Sequence, residues 1–218
     1  MSHKAYPNLA HLETFSRDLN YTGVPLDGWI HPMTFVPIVL SVIAFITVGR
    51  PRGFLSYWAL LNFALIHPMD LFVGTLGYGP RYMVDEYSVL DTRYWVVQDV
   101  CVTIVSFLEF IVMAPLCFFW YRGIVQGRPD KAFFAIQAST WQLIGTIFYV
   151  VGEIMDDFKH LPGNDFVWPP KFDSYLKLKY FWFIFVCLNH IWVFLPLTVI
   201  YKSYREIIQG MTMKHKKK

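Results

Sequence analysis

An all-α, polytopic membrane bundle of five transmembrane helices is the fold this sequence predicts, and three observations predict it. Hydrophobic residues make up 55% of the 218 and charged residues only 16%, too few to clothe a water-facing surface. The apolar residues fall into five segments, most of them near the roughly 20 residues that a bilayer crossing needs. Lysine and arginine are distributed among the connections in the way that orients membrane helices. The net charge of +3 is small, and the basic residues gather at chain ends and loops rather than in an aromatic-interleaved patch, which argues against nucleic acid as a partner.

Residues 1–32 carry Pro7, Asn8, Arg17, Asp18, Pro25 and Asp27 without an apolar core. They read as a lumenal N-terminal segment with no cleavable signal peptide. The transmembrane domain then occupies 33–201, with spans expected at Met33 to Val48, Phe54 to Leu76, Val96 to Tyr121, Ala132 to Met155 and Tyr180 to Tyr201. Backbone in lipid must satisfy its own hydrogen bonds, so helix is expected to continue through Pro37, Pro68, Pro115 and Pro196 as kinks. Cys101, Cys117 and Cys187 sit singly in apolar stretches and predict neither a disulfide nor a zinc site.

Arg50 and Arg52 after the first span, and Arg122, Arg128 and Lys131 after the third, mark cytosolic faces, as do Lys202, Arg205 and the lysines at 214 and 216–218 in the basic tail, 202–218. On the opposite side Arg81 and Arg93 face Asp85, Glu86 and Asp91, and Lys159, Lys171, Lys177 and Lys179 face Asp156, Asp157, Asp165 and Asp173. That side is expected to be lumenal, with the C-terminus cytosolic. The terminal Lys214-His215-Lys216-Lys217-Lys218 resembles a Lys-x-Lys-x-x retrieval signal of the endoplasmic reticulum, and suits anionic lipid equally well.

Polar residues recur at helical spacing inside the spans. Asp99, Thr103, Ser106 and Glu109 form one stripe, and Gln142, Thr146, Tyr149 and Glu153 another. Asn189 and Trp192 share a face of the last span, as His67 and Asp70 do around Pro68. Counted from the lumenal ends at about 1.5 Å per residue, His67, Ser106, Thr146 and Asn189 lie near one level, Asp70 and Tyr149 a turn toward the lumen and Glu109 a turn deeper. An ionisable group at such depth costs several kcal/mol unless it functions. Burial disfavours its anion, so the carboxyl groups of Asp70 and Glu109 are expected to wait protonated, as donors to an alkene or epoxide. For Ser106, Thr103 and Thr146, bonding between helices is an equal expectation. Asp99 and Glu153 are expected to be solvated or paired with a loop cation.

Tyr180-Phe181-Trp182-Phe183 through Leu188-Asn189, then Trp192 and Leu195-Pro196, resemble the last helix of the emopamil-binding protein family of sterol isomerases. Gln142, Gly145, Tyr149, Glu153, Asp157 and Phe158 resemble its fourth, and Glu86-Tyr87 with Asp91-Thr92-Arg93-Tyr94 a loop before the third. The resemblance implies a five-helix enzyme of the endoplasmic reticulum that protonates a sterol double bond, removes a proton elsewhere and shields the cation with tryptophan. His67, Asn189 and Trp192 match family site residues. The carboxylates are displaced: Leu71 stands where the family has a glutamate, with Asp70 one residue earlier, and Ser106 stands at the place of a second, with Glu109 where the family has a threonine. The displacement points to a changed substrate, as in the branch that cyclises prenyl-chain epoxides in fungal meroterpenoid pathways.

The expected function is thus a membrane-embedded cyclase or isomerase that starts carbocation chemistry by proton transfer on a lipophilic terpenoid. Asp70, Glu109 and His67 are its catalytic candidates, and Asn189, Trp192, Tyr149, Ser106 and Gln142 its substrate contacts. Sterol isomerisation and non-catalytic lipophile binding are the alternatives. No cofactor is expected, for there is no glycine-rich dinucleotide turn, no metal-ligand spacing and no aspartate-rich diphosphate motif. The expected partners are the lipophilic substrate and membrane lipid, with a homodimer left open.

Overall fold

The computed structural model describes residues 30–161, 171–175 and 177–216, with side chains as far as Thr212. The expected N-terminal segment up to Trp29, part of the loop before the last span, and the final lysines lie outside the described residues. Among the described residues the chain is all helix, in six elements.

Helix α1 (Pro32–Thr47) opens with His31 as N-cap, its ring nitrogen accepting from the Met33 amide at 3.2 Å, and with proline in its first turn, where a missing N–H costs nothing. Helix α2 runs through 54–75 without a break. It comprises Phe54–Leu61, a π-turn Asn62–Ile66, the turn His67–Met69 and a second π-turn Asp70–Thr75. Helix α3 (Arg81–Leu90) is short and was expected as loop; its apolar side, including Val84 and Val89, is buried. Helix α4 (Val100–Val125) contains a π-turn at Glu109–Met113. Helix α5 is Lys131–Met155, and α6 begins in π geometry at Lys177–Leu188 and continues as α-helix over Asn189–Lys216.

The third expected span starts too early. Residues 92–97 are turns, and Asp99 is the N-cap of α4, accepting from the Val102 amide at 3.0 Å; it therefore starts the helix rather than belonging to its polar stripe. The last span also runs on beyond Tyr201, so the described part of the basic tail is helical.

Two of the four prolines are answered by π-turns. Proline removes the amide that would pair with the carbonyl four residues back. At Pro68 the preceding His67 amide reaches five residues back to Asn62, and at Pro115 the Ala114 amide reaches Glu109 in the same way. The helix stays hydrogen-bonded through both places.

Among the described residues three helices are long and apolar enough to cross a membrane: Val100–Val125, Lys131–Met155 and Lys177–Thr212. Pro32–Thr47 is apolar but shorter. The outward faces carry Ile46, Val100, Ile111 and Phe194, all more than 60% exposed, a surface suited to lipid and not to water. Inside, α5 packs against α4 and α6, and α2 against α1, α3 and α4. One core gathers Ala44, Ala59, Ala64, Ala135 and Ala138 with Trp120 and Tyr121; small residues let membrane helices approach closely. At Gly123 a Cβ would lie 2.6 Å from that of Lys131, so the start of α5 crosses α4 only because that position has no side chain.

Candidate functional site

Helices α2, α4, α5 and α6, with α3 and the loop after it, enclose a chamber of about 210 Å³. All eight side chains singled out from the sequence line it: His67, Asp70, Ser106, Glu109, Gln142, Tyr149, Asn189 and Trp192. Thr146, expected at the same depth, lines it as well.

The π-turns set its chemistry. His67 lies between the two in α2, Asp70 opens the second, and Glu109 opens the one in α4. Ligand-type atoms of His67, Asp70 and Glu109 then lie within 4.8 Å of one another. That separation leaves room for a small ligand group or a cation between them. The linear spacing predicted no such ligand set, because the group joins two helices. Asp70 accepts a hydrogen bond from the Tyr87 hydroxyl at 2.8 Å. Burial first, and then the neighbouring Asp70 charge, raise the Tyr87 phenol well above its ordinary pKa, so this hydroxyl remains a donor. Glu109 Oε1 lies 3.5 Å from where a Cβ on Gly145 would stand.

His67 is 1% exposed, with Nε2 4.0 Å from the Cys117 sulfur and Nδ1 without a protein partner. Gln142 donates to Asn62 at 3.1 Å, while its buried Oε1 has no protein partner either. An unsatisfied buried polar atom costs about 1–3 kcal/mol; two of them on side chains that line one chamber suit a ligand that supplies a hydroxyl or another polar hydrogen.

Other candidates take roles different from those expected. Ser106 and Thr146 bond the Val102 and Gln142 carbonyls of their own helices, at 3.0 and 2.9 Å. Asn189 donates to the Phe185 carbonyl at 2.8 Å, leaving its oxygen as the group it can offer a ligand. Trp192 packs against Trp58 with ring centroids 4.7 Å apart. Tyr149 carries the Arg93 guanidinium over its ring at 4.6 Å, so one of its faces is already engaged by a cation.

The sequence reading missed Tyr87 and Tyr94 as parts of the site. Tyr94 lines the chamber and packs edge-on to Tyr87, at 5.4 Å, and against Tyr149, at 6.4 Å. Both stand in the loop that resembles the family, Glu86-Tyr87 and Asp91-Thr92-Arg93-Tyr94, and that motif was the signal that pointed to them.

Next to this aromatic row Arg93 ties the loop after α3 to α5 in an ionic knot. Arg93 binds both oxygens of Asp91, pairs with Glu153 at 3.0 Å and donates to the Tyr149 carbonyl at 3.1 Å. Burial opposes the Arg93 charge, but the hydrogen bonds and charge of Asp91 outweigh it and push its pKa further up. Glu153 also accepts from the His160 amide and meets its ring nitrogen, each at 3.0 Å. Glu153 is thus paired with a loop cation, as expected, but fully buried.

The sequence profile of EXPERA, the expanded EBP superfamily, matches residues 81–203. The 3-beta-hydroxysteroid-Delta(8),Delta(7)-isomerase of Rattus norvegicus is 24% identical over 128 residues, 59% of this chain and 50% of the relative; the chain thus spans about half the length of that protein. Isomeliandiol synthase of Melia azedarach is 22% identical over 200 residues, 87% of each chain. A probable isomerase of the same steroid name from Oryza sativa subsp. japonica is 23% identical over 179 residues, 76% of this chain and 73% of its own. With the family profile matching more than half of its length, this helical membrane protein belongs to the EXPERA family, the expanded EBP superfamily.

Proposed function

We propose that the chain is an intramolecular cyclase or isomerase, embedded in the endoplasmic reticulum membrane, that starts carbocation chemistry on a lipophilic prenyl or epoxyprenyl substrate by proton transfer. The observation that carries this reading is the meeting of Asp70 and Glu109, from different helices, with His67 in a chamber whose other walls are mostly apolar and aromatic, with Ser106, Gln142, Thr146 and Asn189 among them. One carboxylic acid protonates an epoxide oxygen or an alkene carbon and is left as a carboxylate beside the cation. The rings of Trp192, Tyr94 and Tyr149, all lining the chamber, offer π-density to the cation. The final cation loses a proton from carbon to His67, whose ring lies within 4.8 Å of both carboxyl groups and passes that proton to the carboxylate, restoring the acid. The Gln142 oxygen holds a substrate hydroxyl. No cofactor enters these steps.

In the same reading 33–201 crosses the bilayer five times, 1–32 and the α2–α4 connection are lumenal, and the basic tail is cytosolic. The loop cations support this orientation, and the unbroken helical path through 54–75 supports α2 as a crossing. Two relatives bear a 3-beta-hydroxysteroid-Delta(8),Delta(7)-isomerase name, which supports sterol double-bond migration as a second reading.

Expression in a yeast strain lacking its own sterol isomerase, with epoxyprenyl phenols fed to parallel microsomes, decides between them. Cyclised phenol and no Δ7 sterol is the expected outcome. Restored Δ7 sterols would replace the cyclase reading by the isomerase, and inactivity on both substrates would leave a lipophile-binding protein.

A further inference from the structure

The chamber is too small for the substrates its chemistry suits. Pockets that enclose a drug-sized ligand have about 300–1,000 Å³, and the chamber has about 210 Å³. A second cavity, of about 520 Å³, lies against it between α4 and α5. Cys101, Val105, Met113, Gly145 and Phe148 line both, so the two are neighbours across a single layer of side chains. At Gly145 that layer thins to backbone: a Cβ there would stand 3.5 Å from both Glu109 Oε1 and Val105 Cγ1.

The second cavity differs in chemistry from the first. Apart from Asp99 and Cys101 at the lumenal end of α4, it is lined by apolar and aromatic side chains and the Gly145 backbone. Its outer rim is exposed: Val100 by 71%, Ile104 by 54% and Phe148 by 52%. Those residues stand on Val100–Val125 and Lys131–Met155, both long and apolar enough to cross a membrane. What faces this rim is therefore lipid hydrocarbon.

We infer that this α4–α5 groove is a second binding site, which takes the hydrocarbon remainder of the substrate and through which the substrate enters sideways from the bilayer. Together the two cavities reach the size of a complete ligand site, with the reactive end at Asp70 and Glu109 and the chain lying past Gly145. The groove has no charged residue other than Asp99 and no unsatisfied polar group, so its occupant is a prenyl chain or sterol side chain and not a polar headgroup. The inference rests on the proposed chemistry only for which end of the ligand reacts.

Cys101 lines both cavities and is exposed, whereas Cys117 is buried. The test uses the full chain in lipid nanodiscs with Cys187→Ser, and follows alkylation of Cys101 by a membrane-permeant bimane reagent. Farnesyl phenol or a Δ8 sterol is expected to slow labelling at least fivefold, and phenol without a chain to leave it unchanged. Ile104→Trp, which fills the groove outside the chamber, is expected to abolish the protection and raise KM about tenfold, with unliganded labelling within twofold of the parent as the check on folding. Equal rates with and without every chain-bearing probe would overturn the groove as a substrate site and leave it a lipid contact only; protection by phenol alone would overturn it too. Protection without turnover sinks the proposed chemistry and keeps the groove, and turnover without protection does the reverse. Loss of both sinks both.

Discussion

Replacing Arg93 by methionine tests the ionic knot beside the chamber. The guanidinium reaches Asp91 at 2.6–3.1 Å, Glu153 at 3.0 Å and the Tyr149 carbonyl at 3.1 Å; Arg93 is 3% exposed and both carboxylates 0%. Methionine keeps much of the apolar stem and removes the charge, so two buried carboxylates lose their common counter-ion. Breaking a buried pair by removing one partner costs about 3–5 kcal/mol. A chain of this size shifts its Tm by about 2–4 °C per kcal/mol, so the expected fall is about 6–20 °C. Unfolding in detergent can be followed by labelling of Cys117, whose side chain is fully buried in the fold. Glu153→Gln added to Arg93→Met is expected to recover part of the loss, because it discharges one of the stranded carboxylates. A fall below about 2 °C, or a double variant less stable than the single, would refute the reasoning.

Four further outcomes are expected. Asp70→Asn and Glu109→Gln should each lower turnover by about 10²–10⁴, the range of a positioned acid; full activity in both would remove them from the mechanism. Tyr87→Phe deletes the 2.8 Å hydrogen bond to Asp70, worth about 0.5–1.5 kcal/mol, so kcat should fall roughly two- to tenfold while helical content by circular dichroism stays constant. Dialysis against EDTA should leave turnover unchanged, and activity lost to EDTA and restored by a divalent ion would turn His67, Asp70 and Glu109 into ligands. Gly77→Ala combines a φ of +62° with a Cβ 2.6 Å from the Trp95 ring; it should lower stability by about 1–3 kcal/mol, and an unchanged Tm would show that the turn relaxes freely.

Hydropathy located the helices because lipid-facing and core residues are both apolar, and helical spacing showed which polar residues share a face. Depth counting placed His67, Ser106, Thr146 and Asn189 at one level, and all four line one chamber. What periodicity could not show was partnership. Whether Ser106 bonds a ligand or the Val102 carbonyl depends on a rotamer, and whether Tyr149 offers both faces depends on Arg93, a loop residue 56 positions away. The helix over Arg81–Leu90 was missed because ten amphipathic residues that include Arg81, Asp85 and Glu86, entered from Gly77-Tyr78-Gly79-Pro80, have the composition of a loop beside the apolar spans. Asp99 was misplaced for a related reason: a capping residue continues the spacing of the helix that it starts.

The π-turns have a consequence for divergence. An α-helix advances about 100° per residue, so gaining or losing one residue within a helix would rotate everything beyond it away from its neighbours. A wider turn absorbs such a residue locally and leaves the flanking segments in phase. Asp70, Glu109 and Leu188, the neighbour of Asn189, all stand in such turns. These helices act as adjustable mounts: an acid can move by one position in sequence while the lipid-facing shell keeps its register. A new reaction on this scaffold then needs a re-aimed side chain and not a rebuilt bundle.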